Sequence, residues 1–260
     1  MKCIILAAGQ GTRLKKYTQN LPKGMLCFSG KTIIERQIDL FRTCGIKNII
    51  IVTGFAADTI QYGNVTYYHN PDFASTNMVE SFLCAKNEFT EDVIVSYSDI
   101  IYTKEMLIQM INSKNDFVVA VDVDWKKYWN SRYGKIEFDT ESMIIDSDNN
   151  ILSLGLENPP LGEIDARYIG LLKFSKKGLD IISKIYEHDY EEYLHKAWKQ
   201  SGKYIRQAYM TDLLQAVIES DYKVKAKKFS NGWLEFDTNE DYETASEWVK
   251  TGKINEFIRL

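Results

Sequence analysis

The chain has 260 residues, a net charge of −4, 45% hydrophobic and 26% charged residues. That length supports one large α/β domain with a sizeable core, and the charge lacks the basic excess that nucleic acid or an anionic membrane demands. No stretch approaches membrane-spanning length, the apolar start is too short for a secretory signal, and Cys3, Cys27, Cys44 and Cys84 form no Cys-x-x-Cys pair. These features predict reduced thiols, a cytoplasmic location, and neither nucleic acid nor membrane as partner.

In chain order, Cys3 to Ala8 reads as a short buried strand that runs into "GQGTRLKKYTQNLPKG". "KTIIERQIDLFRTCG" places Ile33, Ile34, Ile38, Phe41 and Cys44 at helical spacing and stops at Gly45. "KNIIIVTG" and "NVTYYHN" read as strands, and "STNMVESFLCAKNEF" as a helix with Ser75 and Thr76 as caps. Strand "DVIVSYSD", helix "TKEMLIQMINS" and strand "DFVVAVDVD" follow. Strands alternating with helices predict a parallel sheet covered on both faces.

From about Trp125 the pattern changes. "YGKIEFD" and "MIIDSDNNILSLGL" read as short antiparallel strands, the latter turning at Asp148-Asn149-Asn150. Strand "ARYIGLLKFS" precedes three helical stretches, around Lys176 to Tyr186, Tyr190 to Gln200 and Met210 to Glu219. Strands "YKVKAKKF" and "WLEFD" lead into the helix "TNEDYETASEWVK". The expected fold is a single Rossmann-like α/β domain, with a mixed, mainly parallel central sheet and a small antiparallel insertion. Its divisions are residues 1–124 as a nucleotide-binding half, 125–237 as an acceptor-binding half and 238–260 as a C-terminal helix. The apolar edge of "KINEFIRL" suits either the core or a second subunit, which leaves an oligomer open.

A strand entering a glycine-rich loop and then a helix is a ready phosphate site, because free backbone N–H groups point at the ligand. A dinucleotide fingerprint fails at Leu14, where a third glycine belongs, and G-x-x-x-x-G-K-[ST] is absent. What remains is "LAAGQGTRL" followed by "LPKGML", with Arg13 and Lys23 flanking the glycines. Two fixed cations suit a triphosphate that loses pyrophosphate, since charge grows on the leaving group. Asp99 ends one strand and Asp237 another, and carboxyl ends of strands converge on one crevice. Asp237 with Thr238 also suits a cap for the last helix.

"LAAGQGTRL…PK" resembles the signature of the sugar-nucleotidyltransferase superfamily, and "NMVESF" resembles its cytidylyltransferase branch, which activates small phosphorylated or phosphonate acceptors with CTP. The resemblance implies that Gly9, Gln10, Gly11, Thr12 and Arg13 wrap the triphosphate, that Lys23 holds phosphate oxygens beside the reacting phosphorus, and that Leu6 and Ala8 offer backbone groups to the base. It makes Arg13 and Lys23 the catalytic pair, Asp99 and Asp237 the ligands of Mg²⁺, and Asn77 and Ser81 contacts for base or ribose. As plain chemistry, Asn77 and Ser81 serve equally as a helix cap and a polar helix face. "GLENPP" puts Asn158 where sugar-phosphate members carry a lysine, which argues against a sugar-1-phosphate.

For the acceptor, the candidates are Lys135 as a phosphate-binding cation and Trp129 and Tyr133, with Trp125 and Tyr128, as an aromatic cage; packing is the competing role for the aromatic residues. Lys126, Lys127 and Arg132 among them favour an acceptor with a carboxylate. The likeness extends to enzymes making CDP-linked intermediates for capsule polysaccharide, one using phosphoglutamine, with phosphocholine and aminoethylphosphonate as alternatives. A non-catalytic nucleotide sensor is the rival from another class; it has no need of the full set Arg13, Lys23, Asp99 and Asp237.

Overall fold

In the computed structural model, which describes residues 1–259 apart from the Lys15 side chain, the first apolar run forms β1 (Lys2–Ala7). Cys3, Ile5 and Ala7 enter one hydrophobic cluster, and Ile4 and Leu6 enter another on the opposite face. A strand buried on both sides is what a helix-covered parallel sheet requires. A short helix α1 (Lys15–Thr18) and the ribbon of β2 (Cys27–Phe28) and β3 (Lys31–Thr32) precede α2 (Ile33–Thr43). Thr32 caps α2 by accepting from the Glu35 N–H, and Ile33, Ile34, Ile38 and Phe41 form its buried face. Each such side chain contributes about 1.5–3 kcal/mol on leaving water, which outweighs the weak intrinsic helix preference of the isoleucines.

The alternating half continues as expected through β4 (Asn48–Thr53), β5 (Thr66–His69), α3 (Met78–Cys84), β6 (Val93–Tyr97), β7 (Ile100–Tyr102), α4 (Lys104–Ile111) and β8 (Phe117–Asp122). The cap of α3 is Asn77 rather than Ser75 or Thr76. Beyond β8 two expectations fail. "YGKIEFD" is not a strand: Trp125, Tyr128, Trp129 and Arg132 bury one face of α5 (Trp125–Tyr133), which ends at Gly134 with φ +69°, and residues 134–140 form a loop. Nor is Tyr190 to Gln200 a helix. Trp198 turns into the core there, its indole N–H donating to Asp189 and its backbone N–H to the Lys203 carbonyl, so the segment folds back on itself.

The remaining elements are β9 (Glu141–Ile145), β10 (Asn150–Glu157), β11 (Arg167–Phe174), α6 (Lys176–Asp189), α7 (Met210–Glu219), β12 (Val224–Phe229), β13 (Trp233–Glu235) and α8 (Asn239–Thr251). Among the described residues nine strands join in the order β5-β4-β1-β6-β11-β8-β12-β10-β9. Only β11 and β10 run against the rest, so the sheet is mixed and mainly parallel, with helices on both faces. β7 and β13 form a separate antiparallel pair. The C-terminal Ile254, Phe257 and Ile258 are buried, with Phe257 stacked on Trp248 at 4.6 Å, so this edge packs on its own core. No described helix is long and apolar enough to cross a membrane.

Candidate active site

β1 runs into the loop Gly9 to Arg13. At Gly11 φ is +63°, and a Cβ there would stand 2.4 Å from Lys23 Cγ. Glycine therefore permits the turn and leaves room for the lysine that crosses it. Gly24 is equally confined: a Cβ would meet Ile34 at 2.6 Å and Ser98 Cβ at 2.9 Å, which seats the Lys23 backbone against the end of the sheet.

Asp99 occupies the turn between β6 and β7. The Ser98 N–H donates to the Leu6 carbonyl at 3.2 Å, and buried Gln37 on α2 donates to the carbonyls of Tyr97 and Ile100 at 2.8 and 2.7 Å. In the β7–β13 pair Ile100 lies opposite Glu235, and the Phe236 N–H donates to the Asp99 carbonyl at 2.9 Å. That short ladder places Asp237 beside Asp99. The capping question also resolves: Thr238 caps α8 by accepting from the Asp241 N–H, while the Asp241 carboxylate accepts from the N–H groups of Asp237 and Thr238 at 3.1 and 2.9 Å. Arg132 fixes Asp241 through two bonds of 2.9 and 2.7 Å and reaches Glu235 at 2.7 Å. The Asp237 carboxylate is thereby left to face the glycine loop.

There Lys23 Nζ lies 3.1 Å from Asp99 Oδ2 and also pairs with Asp237, while the Arg13 guanidinium meets Asp237 at 2.6 Å and Asp139 at 3.3 Å. Burial by itself lowers the lysine pKa, but Asp99 and Asp237 outweigh it and hold the ammonium above its usual value. The same opposition, with Asp237 and Asp139 prevailing, raises Arg13. Burial pushes the neighbouring Glu235 up to about 7, against Arg132 and with Asp237 and Asp99 adding to the rise. The second oxygen of Asp99 is buried without a donor among the described residues. A buried carboxylate oxygen lacking a partner fits a hard cation that prefers oxygen ligands. Among the described residues no group of three or more His, Cys, Asp or Glu side chains is placed to hold a metal alone, so Asp99 and Asp237 would share such an ion with ligand oxygens.

Beside the cluster opens a cavity of about 260 Å³. Of the expected nucleotide contacts, Leu6, Ala8, Gly9, Gly11, Thr12, Arg13, Lys23, Asn77, Ser81 and Asp99 line it. Gln10 is exposed and does not. Asn77 spends its side-chain oxygen on the Met78 N–H, and Ser81 accepts from Asn70 and donates to the Asn77 carbonyl, so each does the structural job as well. The carbonyls of Leu6 and Ala8 already accept from Ser98 and Phe55. Phe73 and Tyr97, which the sequence did not single out, add aromatic walls.

A second chamber of about 470 Å³ adjoins the first and shares Thr12, Arg13, Met78 and Tyr97 with it. Asn158, expected in the place of a lysine, lines it. The aromatic cage does not form. Trp125, Tyr128 and Trp129 are at most 2% exposed and pack with Trp233 and Phe257 in the core, because their spacing makes one helix face. Tyr133 packs on Phe138 and the Arg132 guanidinium, and Lys135 is exposed over the Phe138 ring; neither lines the nucleotide cavity or the second chamber. Besides Arg13 on the shared rim, the cation that lines the chamber is Arg167, at the start of β11.

Residues 3–136 match the family described as MobA-like NTP transferase domain. The CTP:phosphoglutamine cytidylyltransferase of Campylobacter jejuni is 34% identical over 258 residues, covering 95% of this chain and 100% of that protein. The choline-phosphate cytidylyltransferase of Streptococcus pneumoniae is 30% identical over 151 residues, 56% of this chain and 65% of its own. The solved structure of the CTP:phosphocholine cytidylyltransferase from Streptococcus pneumoniae shares the fold with a TM-score of 0.76 at 21% identity, over 95% of this chain and 98% of that one. With its glycine loop, paired cations and converging aspartates, the chain belongs to the MobA-like NTP transferase family and is a nucleotidyltransferase.

Proposed function

We propose that the protein transfers CMP from CTP to phosphoglutamine, releasing pyrophosphate and a CDP-linked product used in capsule modification. The observation that carries the reading is Lys23, held between Asp99 and Asp237 on the wall of the nucleotide cavity, with Arg13, which pairs with the same Asp237, on the rim shared with the second chamber. The similarity to the Campylobacter jejuni enzyme along nearly the whole chain supports CTP and this acceptor. Residues 1–124 supply most of the nucleotide cavity, and residues 125–237 most of the acceptor chamber. Free cysteines suit work in the cytoplasm, where CTP is made.

The glycine loop takes the triphosphate on its backbone N–H groups. An oxygen of the acceptor's phosphoryl group attacks the α-phosphorus in line, the bond to the β-phosphate oxygen breaks, and pyrophosphate leaves. The attacking oxygen is already anionic at neutral pH, so no general base is needed; positioning and charge neutralisation carry the rate. Arg13 and Lys23 turn toward the leaving phosphates as charge accumulates there. Asp99 and Asp237 are the residues to hold Mg²⁺, which when bound neutralises phosphate charge and fixes its geometry.

The test is pyrophosphate release with Mg²⁺, crossing CTP, UTP, ATP and GTP with phosphoglutamine, phosphocholine, aminoethylphosphonate and glucose-1-phosphate. Release with CTP and phosphoglutamine is expected. Preference for phosphocholine or aminoethylphosphonate replaces the acceptor, release with glucose-1-phosphate overturns the reading of Asn158, and silence across the grid favours a nucleotide sensor.

A further inference from the structure

The acceptor chamber contains charges that do not satisfy one another. Arg167 is 9% exposed, stacks on the Trp129 ring at 4.3 Å and donates through one terminal nitrogen to the Asp139 carbonyl at 3.0 Å; its Nε is buried with no partner among the described residues. Glu141 and Glu157 face each other across the β9–β10 pair, and both line the chamber. Like charges directly opposite on neighbouring strands destabilise a sheet unless something positive lies between them. Glu141 and Arg167 feel each other's charge, yet they form no ion pair. The buried Thr211 hydroxyl, which also lines the chamber, likewise has no partner among the described residues. The other charges of the chamber are already matched: Arg13 with Asp139, and Glu235 with Arg132.

We infer that this chamber selects a zwitterionic acceptor head group, with Arg167 receiving a carboxylate and Glu141, together with Glu157, receiving an ammonium. The inference rests on the transfer reading above and names the substrate class: an amino acid whose side chain carries the phosphoryl group. Arg13, on the rim shared with the nucleotide cavity, marks the phosphoryl end, and Arg167 the amino-acid end. The planar guanidinium matches a carboxylate in geometry, and a ligand bearing both charges fills the orphaned donor while separating the two glutamates. A lone quaternary amine answers the glutamates but leaves the arginine unpaired in a partly desolvated wall. A buried donor left empty is what lets a site reject an analogue lacking one group.

The experiment compares phosphoglutamine, its α-methyl ester and phosphocholine on the wild type, Arg167→Gln and Glu141→Gln. It reads kcat/KM from pyrophosphate release, with CTP affinity measured on the same preparations. For the wild type, esterification is expected to lower kcat/KM by about 10²-fold or more. Arg167→Gln brings ester and free acid to parity, and Glu141→Gln raises the KM for phosphoglutamine while the KM for CTP stays put. Wild-type turnover of the ester or phosphocholine equal to that of phosphoglutamine overturns the inference, as does discrimination that survives Arg167→Gln. Should Arg167→Gln fail to fold, the Glu141→Gln comparison stands by itself. Calorimetric binding of the same three molecules separates the two readings. Selective binding of the free acid without pyrophosphate release sinks the transfer reading and supports this one; equal binding of acid and ester overturns it.

Discussion

The nucleotide cavity and the acceptor chamber share a rim and are built on opposite plans. In the cavity each strong charge touches its complement: Lys23 meets Asp99 and Asp237, and Arg13 meets Asp237. In the chamber Arg167 and the Glu141–Glu157 pair are held apart by the strands that carry them. The first arrangement pairs two cations with two carboxylates, and on the proposed reading those cations exchange partners when phosphates arrive. The second stays incomplete until a molecule of matching charge pattern enters. Catalytic power and selectivity are thus assigned to different walls of one crevice, and changes in each should separate in kinetics.

The largest effect is expected for Lys23→Ala, which lowers turnover by at least about 10²-fold with every acceptor and leaves the ranking of acceptors unchanged. Thermal melting of the variant checks that the fold survives; a changed ranking would break the division. Gly11→Ala comes next. Its Cβ would displace Lys23, and a misplacement of that size costs up to about 10²-fold in turnover without altering acceptor choice. Arg132→Met sharpens the scaffold side of the comparison. It strands Asp241 and Glu235 and costs about 3–5 kcal/mol of stability, read from the urea midpoint at constant m value. Lys135→Ala should leave the KM for acceptor where it is, since the side chain is exposed and outside both cavities; a raised KM would restore it to the chamber.

The cavity was readable in the sequence because its parts lie close in the chain or mark strand ends. Two glycines after a buried strand, a nearby Pro-Lys and an aspartate closing each of two strands are local signals, and the sheet gathers them by topology alone. The chamber left no such trace. Arg167 opens a strand whose sequence, RYIGLLKF, carries a second cation and marks neither as special, and the opposition of Glu141 to Glu157 exists only through the register of β9 and β10. The Arg132–Asp241 pair that frees Asp237 joins residues from α5 and the start of α8. The aromatic run offered two readings, cage and packing, and the structure takes the second. Its composition suggested a cage, while the spacing of Trp125, Tyr128 and Trp129 already described one face of a helix, which the core then buried.

The central claim is that the acceptor attacks CTP directly and that these side chains act by position and charge alone. The stereochemical course at phosphorus tests it, using CTP made chiral at the α-phosphorus with sulfur in place of one oxygen, phosphoglutamine and Mg²⁺. The account predicts inversion, since a single in-line displacement turns the centre over once. Retention would contradict it, because that outcome needs two displacements and a side chain that carries CMP in between.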